Sequence, residues 1–430
     1  MNKAEAFIEK HKLSAASLDE NALLEFFISE MDEGLKSKGK LPMLATYINT
    51  DVEIKSGESV IVLDAGGTNF RTCLVSFDEE RKPIISDFKK TRMPGIDREV
   101  SAAEFYSILA DNVERLIDKS DKIGFCFSYP AEILSDHDGI ALMFSKEIKA
   151  PEVIGTKIGE ELLKELSRRG HDVSGKRVAI INDTVATLLA AKAQHPDNAS
   201  SYIGFILGTG TNTAYIENNK NIAKIPGLKA GAQIINVESG SVALKGGDLD
   251  EAFLLTTNEK DKYLLEKKIS GAYLGPYSAF VIDRAIEEGV FSSAFKERYM
   301  NIERLNTTRM SNYLEMPHNR EYDLVRCVEG NEEDATALYL IISAIIERAA
   351  KLTAINLTAA VLKSGAGKEP RYPVVINADG TTFYKTESLE FYSKMYLDLI
   401  LKKGHKRYYE IINVDSSPTI GAAIAGLALE

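Results

Sequence analysis

Apolar residues recur at helical spacing across residues 4–36, with Leu23, Leu24, Phe26, Phe27 and Met31 in the pattern and Gly34 after it, which predicts one amphipathic helix stopped by that glycine. The period then changes. Ser59–Asp64 and Phe70–Phe77 are β-branched and aromatic runs joined by Ala65-Gly66-Gly67-Thr68-Asn69, which reads as a hairpin. Strands are also predicted over Lys122–Tyr129 and Val178–Ile181, with helices over 102–119, 152–169 and Val185–Ala193. A second glycine-rich hairpin follows, Tyr202–Leu207 and Thr213–Glu217 flanking Gly208-Thr209-Gly210-Thr211-Asn212. Beyond it the pattern predicts a long helical region over 331–363, strands Val374–Asn377 and Ile411–Val414, and a short helix over Thr419–Leu429. Helices and strands alternate throughout, so the class is α/β. Two strand, glycine turn, strand units in two halves of similar order suggest a duplicated architecture with both turns facing one cleft.

Composition bounds what such a chain can do. Its 430 residues are 44% hydrophobic, enough for more than one core, and suggest two or three domains. Lys plus Arg is 52 against 63 for Asp plus Glu, a net charge of −11, which argues against nucleic acid or an anionic membrane as the principal partner. Cys73, Cys126 and Cys327 are far apart and odd in number, so no disulfide framework or cysteine metal site is expected. The N-terminus lacks the apolar run of a secretory signal, and a cytoplasmic location is expected. There is no G-x-x-x-x-G-K-[ST], H-E-x-x-H or G-x-S-x-G, and none of the six histidines is spaced as a ligand pair.

The glycine turns carry the candidate chemistry. In Asp64-Ala65-Gly66-Gly67-Thr68-Asn69-Phe70-Arg71, consecutive backbone N–H groups can cradle phosphate oxygens, and Thr68 and Asn69 add donors. Asp64 ends a buried strand and suits Mg²⁺ held through water; read alone, the segment is equally a plain hairpin. The second turn has no carboxylate, so Asp64 is the metal candidate. In Ile180-Ile181-Asn182-Asp183-Thr184, Asp183 either caps the following helix or is a catalytic base that the helix terminus keeps ionised. Phosphoryl transfer asks mainly for positioning, so a weak base suffices.

Taken in order, these segments resemble the sugar kinases of the hexokinase and glucokinase family. Leu63–Arg71 is similar to its first phosphate motif and Gly208–Asn212 to its second; Ser128-Tyr129-Pro130 resembles its sugar loop, and Asn182-Asp183-Thr184, Asn236-Val237-Glu238 and Glu266–Gly271 complete the set. The chain has Phe144-Ser145-Lys146-Glu147-Ile148 where the family commonly has Trp-Thr-Lys-Gly-Phe, Tyr129 for Phe, Ser239 for Trp, and Pro418 for Gly in the last nucleotide turn. The resemblance implies a two-lobed actin-like ATPase (ribonuclease H-like) fold, with duplicated mixed-sheet cores around a central cleft that closes over a hexose. On this reading residues 58–181 plus 419–430 form the small lobe, and 1–57 plus 182–418 the large one. ATP and Mg²⁺ would serve as phosphoryl donor, and glucose is the foremost substrate. Asp183 would take the proton of the sugar 6-hydroxyl, with Lys146 near the reacting oxygen. Ser128, Ser145, Asn182, Asn212, Glu238 and Glu266 would hold the other hydroxyls. Asp64 would position Mg²⁺, with Gly66, Gly67, Thr68, Asn69 and Arg71, and Gly208, Thr209, Gly210 and Thr211, around the phosphates. Gly380, Ser416 and Ser417 resemble the adenosine side. The rival readings are a non-catalytic hexose sensor, which would not require Asp183, Lys146 and Asp64 together, and a sugar-independent actin-like ATPase, which would need neither Glu238 nor Glu266.

Overall fold

The computed structural model describes residues 2–49, 54–144, 148–194 and 198–429. Its strands are β1 Leu44–Asn49, β2 Val60–Gly66, β3 Asn69–Phe77, β4 Pro83–Arg92, β5 Lys122–Phe127, β6 Ala131–Ile133, β7 Gly139–Ala141, β8 Arg177–Ile181, β9 Ser201–Leu207, β10 Thr211–Asn218, β11 Ala232–Asn236, β12 Val374–Asp379 and β13 Tyr409–Ile412. One sheet has the order β4-β3-β2-β5-β8 and the other β1-β11-β10-β9-β12-β13, while β6 and β7 form a separate ribbon. Setting β1 aside, both sheets have the same plan. The first strand of each half lies at the centre, pairs antiparallel with the second through a glycine turn, and pairs parallel with the fourth. Parallel pairing places the ends of β2 and β5 together, and likewise β9 and β12, so loops after these strands converge on one edge of each sheet.

The N-terminal segment differs from its expected single helix. It forms two, Lys3–Lys10 and Glu20–Leu35. The first ends where Lys12 takes a left-handed φ of 52°, and the second starts afresh because the Asp19 side chain accepts the Asn21 and Ala22 amides. Gly34 lies inside the second helix, where the chain at Leu41 and Met43 packs against it. The expected helix over 102–119 is α-helical over Ala102–Val113 and 3₁₀ over Glu114–Lys119. That over 152–169 starts only at Ile158. The long helix Glu332–Ser364 is present as expected, capped by Asn331 and ended by Gly365 at φ 70°. Between β11 and β12 the chain also inserts the helices Asp248–Leu254, Glu266–Ile269, Gly271–Glu287, Ser293–Tyr299, Thr307–Glu315 and Asp323–Val328. Strands β1, β4, β6, β7 and β11 have no counterpart among the predicted elements. The polar, solvent-facing β4 lacks the apolar alternation that would mark it.

Two helices join the halves by exchange. The helix Asp183–Gln194 follows β8 of the first sheet yet packs on β9 and β12 of the second; the final helix Ser417–Leu427 follows β13 of the second sheet and packs on β2 and β5 of the first. These helices also pack on each other. The approach is backbone to backbone: a Cβ at Gly204 would overlap the Thr184 carbonyl, one at Gly421 the Ala186 carbonyl, and one at Gly124 the Ala422 carbonyl. The surroundings are buried Val, Ile, Leu and Ala side chains with no room to yield. Gly421→Ala is therefore expected to destabilise the protein by about 1–3 kcal/mol through overpacking. Thermal unfolding checks this, and an unchanged Tm would show that the crossing has slack.

Candidate active site

The first half presents its chemistry at the ends of β2 and β5. Asp64 lies in register with Arg71 across the hairpin, and the guanidinium Nη1 donates to Asp64 Oδ2 at 2.6 Å. Burial pushes the Asp64 carboxyl above its ordinary range, and Arg71 opposes the rise. The turn that follows is open to solvent at Gly67, which has φ 57°, and at Thr68, and Asn69 is half-buried. Ser128 is brought beside this turn because β5 runs parallel to β2, so that its amide donates to the Ala65 carbonyl at 3.0 Å. A Cβ at Gly66 would sit 3.4 Å from both Asp64 Oδ1 and Ser128 Oγ, which places phosphate turn, metal candidate and sugar loop together. Tyr129, in the position where a phenylalanine is usual, donates its hydroxyl to the Gly67 carbonyl at 2.6 Å. That tie between sugar loop and phosphate turn is invisible in sequence, since the two partners are 62 residues apart.

Asp183 opens the helix that crosses to the second sheet. The cap is supplied by Asn182, whose Oδ1 accepts the Thr184 amide at 2.9 Å, while Asp183 Oδ1 accepts the same amide at 2.8 Å. The expectation that the helix terminus keeps Asp183 ionised is not met. Burial raises its carboxyl to about 7, against the Thr184 amide bond, with Glu238 and Asp64 adding like-charge repulsion. The reason is that one amide donor cannot replace lost hydration when the nearest charges are also negative.

The second half contributes a polar triangle. Asn212 Nδ2 donates to Asn236 Oδ1 at 2.8 Å and to Glu238 Oε1 at 3.3 Å, and Asn236 Nδ2 donates to Glu238 Oε1 at 2.8 Å. Asn236 was not among the predicted site residues; its signal is a polar side chain ending the apolar run Ile234-Ile235 in β11. Glu238 itself has a left-handed φ of 57°. Glu266, from the short helix Glu266–Ile269, accepts the Thr211 amide at 3.0 Å and is packed so closely on Gly210 that a Cβ there would come within 2.6 Å of Oε2. Burial raises both glutamates, the asparagines opposing it at Glu238 and the Thr211 amide at Glu266. Glu238 is felt at both Asp183 and Glu266, and Asp64 at Asp183, so each of the four carboxylates has another within electrostatic reach.

On the nucleotide side, the Gly208 carbonyl accepts the Gly271 amide at 2.9 Å and the Thr382 hydroxyl at 2.8 Å, which fixes the second glycine turn beside Gly380. A cavity of about 480 Å³ opens there, lined by Thr209, Thr381, Thr382 and Lys385 among others. Thr211 faces away from it, with its hydroxyl on the Ile206 carbonyl and its amide on Glu266. Ser416 is exposed at the start of the final helix. Ser417 is not: it is buried, accepts from Asn377 Nδ2 at 2.9 Å and donates to the Val414 carbonyl at 2.7 Å, so its hydroxyl is committed inside the fold. Ser145 and Lys146 lie outside the described residues. No cluster of three or more metal-ligating side chains exists among the described residues. A single buried carboxylate beside a phosphate turn is nevertheless the donor set that suits Mg²⁺, which keeps its waters and takes the rest of its shell from phosphate oxygens.

Duplicated mixed sheets, exchanged helices and a polar cleft between two glycine hairpins define the actin-like ATPase fold class, here with a site of sugar-kinase type. One hexokinase family model matches residues 202–428 and another matches residues 3–193. The chain belongs to the hexokinase family. It is 28% identical over 405 residues to hexokinase-5 of Oryza sativa subsp. japonica, covering 86% of this chain and 78% of that protein. It is 27% identical over 407 residues to human hexokinase-1, covering 88% of this chain and 43% of that one, so it spans less than half the length of the human relative. The fold matches a Schistosoma mansoni hexokinase solved in complex with glucose, with a TM-score of 0.78 and 23% identity over 99% of this chain and 98% of the other. No helix among the described residues is long and apolar enough to cross a membrane.

The raised Asp183 carboxyl has a consequence for stability. The folded protein holds this proton up to about pH 7, whereas the unfolded chain releases it near the ordinary value of 3.8. Between these values the folded state binds more protons, so the stability this group contributes is lost as pH rises through that window. Asp183→Asn keeps an acceptor for the Thr184 amide and removes the buried charge. It is expected to raise Tm at pH 8 and to leave it nearly unchanged at pH 4; equal shifts at both values in calorimetry would contradict the assignment.

Proposed function

We propose that this protein is an ATP-dependent hexokinase that phosphorylates the 6-hydroxyl of a hexose, glucose foremost, with Asp183 as the base. The observation that carries this reading is the buried Asp183 carboxyl, raised to about 7 and within electrostatic reach of both Asp64, beside the first glycine turn, and Glu238, in the cluster with Asn212 and Asn236. A base with that affinity for protons is matched to neutral pH, where it is partly ionised yet still takes a proton as it leaves the hydroxyl. Thr184 occupies Asp183 Oδ1 through its amide and its hydroxyl, and Oδ2 has no hydrogen bond among the described residues. Oδ2 is thus the atom available to the sugar.

Each hexose hydroxyl both donates and accepts, and Glu238, Asn212, Glu266, Asn182 and Ser128 supply complementary groups for such a ligand. Sugar hydroxyls that donate to Glu238 and Glu266 would replace lost hydration, and a site built this way discriminates against analogues that lack a hydroxyl. The backbone amides of Gly66–Asn69 and those of Thr209 and Gly210, with Arg71, would receive the ATP phosphates, the Gly208 and Thr211 amides being held by the Gly210 carbonyl and Glu266, and Lys146 would lie near the transferred group. Asp64 would hold Mg²⁺ through water. When bound, the ion neutralises charge on the phosphate oxygens. Closure of the 58–181 plus 419–430 lobe on the remainder would exclude water, a competing nucleophile.

The test is ATP consumption with glucose, mannose, fructose, glucosamine and N-acetylglucosamine. Sugar-dependent turnover is expected with glucose, and kcat/KM should fall as pH drops below about 7. Asp183→Ala should lower kcat by about 10²–10⁴-fold, with much less change in sugar affinity. Full sugar-dependent turnover in that variant would refute the role of Asp183, and sugar-independent ATP hydrolysis would refute the kinase reading.

A further inference from the structure

Away from the cleft, a cavity of about 510 Å³ lies between the N-terminal segment around Lys10–Leu23 and the loop 244–250. Three buried charges form its floor. Asp250 accepts Arg348 Nη2 at 2.8 Å and Nη1 at 3.0 Å, and also the Gly247 amide at 2.8 Å. Lys268, with a side chain only 5% exposed, has Asp250 Oδ1 as its one partner among the described residues, at 3.5 Å. That is long for an ammonium–carboxylate contact, and an ammonium has three protons to place. Two cations therefore share one carboxylate, whose oxygens already accept a bidentate guanidinium and the Gly247 amide.

The rim adds charge of the same sign. Lys12 and Lys245 line the cavity, are exposed, and have no ion-pair partner among the described residues. With Lys10 paired to Glu288 at 2.7 Å, the four cations Lys12, Lys245, Lys268 and Arg348 face three carboxylates on this wall: Asp250, Asp248 on His11 Nδ1 at 2.7 Å, and Asp19 capping the helix Glu20–Leu35. A local excess of positive charge in a chain of net −11 calls for a compensating anion, because a buried cation without a full partner is costly. Burial lowers the lysine's proton affinity, Asp250 only partly restoring it, which is the same cost seen in titration.

We propose that this cavity binds a phosphate group, with Lys268 at its floor and Lys12 and Lys245 at its rim. A phosphate offers several acceptor oxygens and more than one negative charge, which suits separate lysine point charges better than a planar carboxylate does. The volume leaves room for either free phosphate or a phosphate ester. Lys268 also lies two residues after Glu266 in the helix Glu266–Ile269. Occupancy is thereby linked to the carboxylate that accepts the Thr211 amide, and this coupling alone rests on the reading of Glu266 as a sugar ligand.

Titration calorimetry of the full chain with inorganic phosphate, in the absence of sugar and ATP, tests the site independently of turnover. A binding component is expected that Lys268→Met abolishes and that the double variant Lys12→Ala/Lys245→Ala weakens at least about tenfold. Lys268→Met removes a buried charge and should fold; the double variant changes only exposed side chains. Glucose 6-phosphate forms the second arm. Tighter Lys268-dependent binding than inorganic phosphate assigns the site to an ester, and equal or weaker binding to free phosphate. Absence of any phosphate binding, or binding unchanged in both variants, would overturn the proposal. Phosphate that binds through Lys268 yet leaves the glucose KM unchanged would overturn the coupling to Glu266.

Discussion

The structure depends on a crossing of two helices at backbone distance. The helix beginning at Asp183 belongs by sequence to the first half and packs on the second sheet, while the helix beginning at Ser417 does the reverse. Gly204, Gly421 and Gly124 permit this because each brings a strand or helix directly against a carbonyl of its neighbour. Any side chain there would separate the layers, and close packing leaves no volume into which they could retreat. The crossing also fixes Asp183, which is the first residue of one crossed helix, so that its position follows from where that helix seats.

Around this joint the site is assembled from groups that disfavour one another. Asp64, Asp183, Glu238 and Glu266 are all raised by burial, and the cations and amides near them compensate only in part. Such an arrangement costs stability in the empty protein, and the proposed ligands, a polyol donating hydroxyl protons to the carboxylates and a cation at Asp64, would relieve it. Local conflict at a functional site within an otherwise consistent fold is the pattern expected of a protein whose ligand completes its electrostatics.

Much of the site is legible along the chain because its pieces are local. A glycine turn between two apolar runs, as in Leu63–Arg71 and Leu207–Asn212, specifies a hairpin whatever the rest of the chain does. Asn182-Asp183-Thr184 likewise marks a strand end and a helix start. The elements that escape the pattern are those whose residues lack a periodic apolar face. Strand β4 is solvent-facing along nearly all its length, and most of the helices inserted between β11 and the long helix Glu332–Ser364 are short pieces, Gly271–Glu287 being the exception. The N-terminal helix is divided by Lys12 and Asp19, a break that polar caps dictate and apolar spacing does not register.

By itself the sequence determined the α/β class and the two glycine hairpins through local turn chemistry and periodicity, and its resemblance to the hexokinase and glucokinase family implied which residues meet at the cleft. Tertiary structure alone decided the state of those residues. Asp183 is raised to about 7 chiefly by burial, with like-charge repulsion from Glu238, 55 positions after it, and Asp64, 119 before it. Ser417 is withdrawn from solvent by Asn377, and Tyr129 is tied to Gly67. Burial and through-space charge depend on distance in three dimensions, and neither can be read from a residue's own neighbours in the chain.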